Sequence, residues 1–108
     1  MKMAMISQPM RGKTDAEIME TRARAVETLH NMGYNVADSF FHGENALEVP
    51  ETVINKPLYY LGKSLEKMAE CELLYCCKGG DKARGCRVEN VVATDYGLTI
   101  CYEAQEVE

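Results

Sequence analysis

Four short apolar runs, each separated from the next by a stretch of helical periodicity, constrain this chain more than any other feature of its sequence. Residues 2–7 (KMAMIS) read as a short buried strand, and QPMRGK is a loop by its proline and glycine. Thr14-Asp15-Ala16-Glu17 fits a capping box, in which the Thr14 hydroxyl and the Glu17 carboxylate accept hydrogen bonds from otherwise unpaired N–H groups. The helix that follows places Ile18, Ala25, Val26, Leu29 and Met32 on one face and stops at Gly33. YNVAD gives a second strand. Residues 38–54, with Phe40, Phe41, His42 and Gly43, form a loop long enough to serve as a lid. Asn55 caps a second helix with Pro57 in its first turn and Leu58, Leu61, Leu65 and Met68 at helical spacing. ELLYCC is almost continuously apolar, as a central strand should be. A basic loop leads into a third helix that is expected to turn Val88, Val91, Val92 and Tyr96 inward and to stop at Gly97. LTICY is a fourth strand, and the acidic tail EAQEVE is expected to fray.

Alternation of this kind implies a parallel sheet with right-handed crossovers. The expected fold is α/β, with a four-stranded parallel sheet in the flavodoxin-like order 2-1-3-4 and one domain spanning residues 1–108. In that order helix 1 covers one face of the sheet, and helices 2 and 3 cover the other. A last helix beside helix 1 is not expected after strand 4, so part of the helix 1 face is expected to be apolar and uncovered. A homodimer or higher homo-oligomer would bury it.

Composition removes several classes of function. No run approaches the roughly 20 apolar residues that a membrane span needs, and MKMAMIS lacks the cleavage site of a signal peptide. The five cysteines are odd in number and contain no CxxC; Cys76 and Cys77, adjacent on one strand, would point to opposite faces. They read as buried thiols in a reducing, cytoplasmic setting rather than as metal ligands, and no metal or other cofactor is expected. A net charge of −5 argues against a nucleic-acid polymer as partner but leaves room for a small anion held by a local cluster.

Open parallel sheets bind ligands beyond the carboxyl ends of their strands, where strand order reverses. Here that crevice lies between strands 1 and 3, flanked by the loops 7–13 and 78–87. Those loops carry Arg11, Lys13, Lys78, Lys82, Arg84 and Arg87, half of the chain's 12 basic residues. Both loops lead into helix N-termini, where added cations are unfavourable to the helix itself, so an anionic guest would explain them. Gly12 and Gly85 let the backbone approach such a guest. Glu89, in the first turn of helix 3, has two readings. It either stabilises the helix N-terminus, worth about 0.3–1 kcal/mol, or it is an ionised carboxylate aimed at an electrophilic carbon.

Three segments carry a resemblance: ISQPMRGK after the first strand, NKPLYYLGKSLEKMAEC, and ARGCRVENVVATDYG, with Gly85, Glu89 and Ala93 matching Gly-x-x-x-Glu-x-x-x-Ala. Together they resemble a family of small proteins grouped with the nucleoside 2-deoxyribosyltransferases and the 2'-deoxynucleoside 5'-phosphate N-hydrolases. The resemblance implies a nucleoside or nucleotide as the small-molecule partner and cleavage or transfer at its N-glycosidic bond. Glu89 would be the nucleophile, and Ser7, Gln8, Pro9, Met10, Arg11 and Gly12 would surround the sugar and phosphate. Arg11, Arg84 and Arg87 would bind the phosphate, Gly85 would let the backbone approach it, and the cations would lower the pKa of Glu89. Ser64 stands where relatives carry an aspartate that serves the base, and Ala83 where the hydrolases carry a phosphate-binding serine. Asp38 or His42 would then supply the proton, while Tyr59, Tyr60, Phe40 or Phe41 could stack on the base. A non-catalytic nucleotide-binding or sequestering protein of the same fold is the alternative that Ser64 favours.

Overall fold

The computed structural model describes residues 2–38 and 48–103. Phe40, Phe41 and His42, and the tail from Ala104, lie outside those residues. The chain forms β1 (Lys2–Ser7), α1 (Asp15–Asn31), β2 (Tyr34–Val36), α2 (Lys56–Met68), β3 (Leu73–Cys76), α3 (Arg84–Asp95) and β4 (Thr99–Tyr102). The four strands make one parallel sheet in the order β2-β1-β3-β4, as the alternation predicts. β2 is shorter than the five residues read from its sequence, although the Ala37 N–H still donates to the Ala4 carbonyl at 2.8 Å. A single 3-10 turn at Gly80–Lys82, not foreseen from the sequence, occupies the basic loop.

Local chemistry explains the helix starts. Thr14 and Glu17 form the capping box, with bonds of 3.1 and 3.0 Å, and the Asn55 side chain accepts the Leu58 N–H at 3.0 Å. Packing then follows the two-residue period of the strands. Ala4, Ile6, Leu73, Tyr75 and Cys77 meet Ala25 and Leu29 of α1 on one face. Met5, Leu74 and Cys76 meet Met68 of α2 and Ala93 of α3 on the other. Cys76 and Cys77 therefore do point to opposite faces.

Two expectations about helix faces are corrected. Val88, Val91 and Tyr96 do not face the core: they are exposed, Tyr96 by 82%, and the inner side of α3 is Cys86, Glu89 and Ala93 with Val92 half-buried. Small side chains at 86 and 93 let the helix backbone settle close to the sheet, which valines at those positions would hold away. Leu58, at the start of α2, is likewise exposed. On the α1 side Met19 and Met32 are exposed, but the sheet residues beneath are largely covered. Leu73, Tyr75 and Cys77 are buried there, and Cys101 is half-buried, whereas exposed Val88, Val91 and Leu58 lie on the two helices of the opposite face.

Candidate active site

The two basic loops meet at the carboxyl rim of the sheet. Gly79 adopts φ 84°, a left-handed conformation open to glycine, and a Cβ built there would stand 3.7 Å from Pro9 Cγ. This glycine lets the β3–α3 connection lie against the loop that leaves β1. Between them opens a cavity of about 810 Å³. Its walls come from Gln8, Pro9, Met10 and Arg11 on one side, and from Arg84, Gly85, Arg87 and Glu89 on another. Pro57, Tyr60, Leu61 and Ser64 of α2 close a third side.

Glu89 is 8% exposed, unusually low for a carboxylate, and its Oε1 accepts a 2.7 Å hydrogen bond from Ser7 Oγ. Ser7 is the last residue of β1, where the strand period directs its side chain to the α3 face. Burial pushes the Glu89 carboxyl up to about 7, outweighing the Ser7 bond, which pulls it down. This reverses the sequence-based expectation that nearby cations lower it. The basic side chains of the cavity wall, Arg11, Lys13, Lys82, Arg84 and Arg87, are solvent-exposed at its mouth. Water screens them there, while the carboxylate sits below in a drier place. Glu89 is thus a group that titrates near neutrality, a property suited to chemistry rather than to capping.

Ser7→Ala removes that stabilising donor. The Glu89 midpoint should rise by about one further unit, read by carbon NMR of a labelled glutamate carboxyl. An unchanged midpoint would mean that the hydroxyl does not hold the ionised form.

The remaining surroundings are set by nearby contacts. Gln8 is buried and donates through Nε2 to the Ile18 carbonyl at 2.6 Å, fixing the loop to α1. Asn90, one residue beyond Glu89, donates to Tyr102 Oη at 3.1 Å and to Cys76 Sγ at 3.6 Å, tying α3 to the sheet. Cys86 also lines the cavity, but burial pushes its thiol up to about 11, so it stays protonated and is a poor nucleophile. The N-terminus of α3 has no side-chain cap and no acidic residue in its first turn: the helix starts at Arg84, so Glu89, expected in the first turn, lies in the second. The N–H groups of Arg84, Gly85 and Cys86 therefore have no side-chain acceptor there.

Of the site residues named from the sequence, Gln8, Pro9, Met10, Arg11, Ser64, Arg84, Gly85, Arg87 and Glu89 share this cavity wall. Ser7 lies behind it, bonded to Glu89, and exposed Gly12 turns the loop outside it. Asp38 does not join them: it is half exposed and pairs with Arg22 of α1 at 3.5 Å. Tyr60 is on the wall, and Tyr59 meets it edge-on with ring centroids 6.1 Å apart. Asp15, read from the sequence only as part of a capping box, also reaches the cavity. Its position one residue into α1, at the rim where β1 ends, is the signal that could have found it. Among the described residues no helix is long and apolar enough to cross a membrane. Comparison with known proteins yields no family model, no curated protein and no solved structure that matches this chain.

Proposed function

We propose that the protein cleaves or transfers the N-glycosidic bond of a (deoxy)nucleoside or nucleoside 5'-monophosphate, with Glu89 as nucleophile. The observation that carries this reading is one buried carboxylate, oriented by the Ser7 hydroxyl, at the wall of a cavity whose mouth is basic. The cavity volume lies in the ordinary range for small-molecule sites. A phosphate would take the uncapped N-terminus of α3 together with Arg84 and Arg87, and the sugar would lie against residues 8–12. Tyr60 offers a face on which a base can stack.

In the first step a Glu89 carboxylate oxygen bonds to the anomeric carbon. The carbon–nitrogen bond breaks, and its electron pair leaves with the base, which takes up a proton. Asp38 pairs with Arg22 away from the cavity wall, so the proton for the departing base comes from solvent water at the cavity mouth. In the second step water, or a second base, adds at the same carbon. The ester bond breaks back to the Glu89 carboxylate, the incoming nucleophile loses its proton, and configuration is retained overall.

The test is chromatography of free base after incubation with deoxynucleosides and their 5'-monophosphates, using Glu89→Gln as the control. Base release that is absent from the variant supports the reading. Nucleotide binding without release by either protein supports instead the sequestering alternative, which Ser64 on the cavity wall favours. The proposal includes self-association through the exposed apolar residues Leu58, Val88 and Val91. Sedimentation should show a dimer or larger species that Val91→Glu dissociates; a monomeric wild-type protein would remove this part.

A further inference from the structure

The basic side chains around the cavity are more numerous than one phosphate requires, and they arrive from two directions. Arg11 and Lys13 come from the β1–α1 loop, which runs to one face of the sheet. Lys82 comes from the β3–α3 connection, and Arg84 and Arg87 from the first turn of α3, which lies on the opposite face. The two loops touch at Pro9 and Gly79, so the two cationic groups flank one opening.

Elsewhere in the described chain four cations have ion-pair partners, while Lys2, Lys56 and Lys78 stand singly rather than in a group. Arg22 pairs with Asp38, Arg24 with Glu20, Lys63 with Glu66 and Lys67 with Glu70. No ion pair among the described residues involves Arg11, Lys82, Arg84 or Arg87, and Lys13 is left with the field of exposed Glu17. In a chain of net charge −5 this is a concentration of unneutralised positive charge at one place. The acidic side chains on the same wall are Asp15 and Glu89, and Glu89 faces the interior. A phosphate monoester brings about −1.5 to −2 charges at neutral pH. That is fewer than the five cations on this wall, Arg11, Lys13, Lys82, Arg84 and Arg87.

We infer that the ligand of this cavity is a nucleotide carrying at least two phosphate groups, one held by Arg84, Arg87 and Lys82 and another by Arg11 and Lys13. This rests on the nucleotide reading above and sharpens it: the charge of the site fits a nucleoside diphosphate or bisphosphate better than a monophosphate. Arginine, with its planar set of donors, suits the paired oxygens of such groups, and each cationic group supplies at least one.

Isothermal titration of the wild-type protein with inorganic phosphate and with pyrophosphate tests the charge match without any turnover. Titration of Glu89→Gln with a nucleoside, its 5'-monophosphate, its 5'-diphosphate and its 3',5'-bisphosphate, at fixed ionic strength, tests it on nucleotides. Pyrophosphate should bind about tenfold or more tightly than phosphate, and the diphosphate or the bisphosphate should exceed the monophosphate by a similar factor. Which of the two nucleotides gains tells whether the phosphates are contiguous or stand on different sugar positions.

In the pair Arg11→Gln/Lys13→Gln the increment should vanish, so that diphosphorylated and monophosphorylated ligands bind within about threefold of each other. Arg84→Gln should weaken every phosphorylated ligand. Lys56→Gln, on exposed α2 surface, should change nothing and controls for general charge. Equal binding of mono- and diphosphorylated ligands overturns the inference, as does an increment that survives loss of Arg11 and Lys13. Failure of the glycosidic reading looks different: phosphate preference persists, but the wild-type protein releases no base.

Discussion

Glu89→Gln is expected to lower base release by about a thousandfold or more and, in the same protein, to raise thermal stability at pH 8. The first effect follows because an amide cannot form the glycosyl ester. The second follows from linkage. The Glu89 carboxyl has an ordinary value of 4.5 and is raised to about 7 in the folded protein. Its contribution to stability is therefore complete below pH 4.5 and is lost as pH rises through 7. Above that the folded state holds a buried anion that the unfolded chain would hold in water. The displacement corresponds to about 3 kcal/mol, which for a domain of this size is on the order of 10 °C in melting temperature. A neutral isostere escapes that cost, so wild-type and variant should melt together near pH 4.5 and separate progressively up to pH 8. Calorimetry across that range decides it. Parallel curves at all pH values would place the carboxylate in water, and undiminished base release would remove its role as nucleophile.

Ala93→Leu is expected to be the most damaging of the small core substitutions, because Ala93 is fully buried between α3 and the sheet. It packs in the cluster of Met5, Met68, Leu74 and Cys76, one helical turn from Glu89 on the same side. Three added carbons have no space there, and overpacking costs about 1–3 kcal/mol. The helix must move outward, which lengthens the 2.7 Å Ser7–Glu89 contact. Stability and activity should therefore fall together, the activity by more than the urea midpoint alone accounts for. Val91→Ala, on the exposed side of the same helix, should leave the stability of the monomer within about 0.5 kcal/mol of wild type. The opposite order, with Ala93→Leu tolerated and Val91→Ala severe, would restore the valine face as the inner one.

Much of the fold could be read from residue order alone. The Thr14 capping box, the Asn55 cap and the unbroken apolar run at 73–77 are local signals, and each appears where the sequence puts it. Helix register was harder. Val88 and Val91 look like a core stripe because hydrophobicity weighs side chains, not the gap they must fill. The gap here takes Cys86 and Ala93 and leaves the valines outside. Asp38 stands off the cavity wall for a related reason: following β2, it meets Arg22, a neighbour 16 residues away in the chain.

The sequence by itself determined the element order, the parallel sheet and the rim where two basic loops had to converge, because strand period, helix capping and right-handed crossover all act over short stretches of chain. Only the tertiary structure decided that Glu89 lies inside rather than beside its helix, that Ser7 is its partner 82 residues away, and that its carboxyl is raised rather than lowered. A pKa depends on the balance between desolvation and neighbouring charge. That balance is fixed by how deeply three separate elements bury one side chain, a quantity that no single segment of the chain contains.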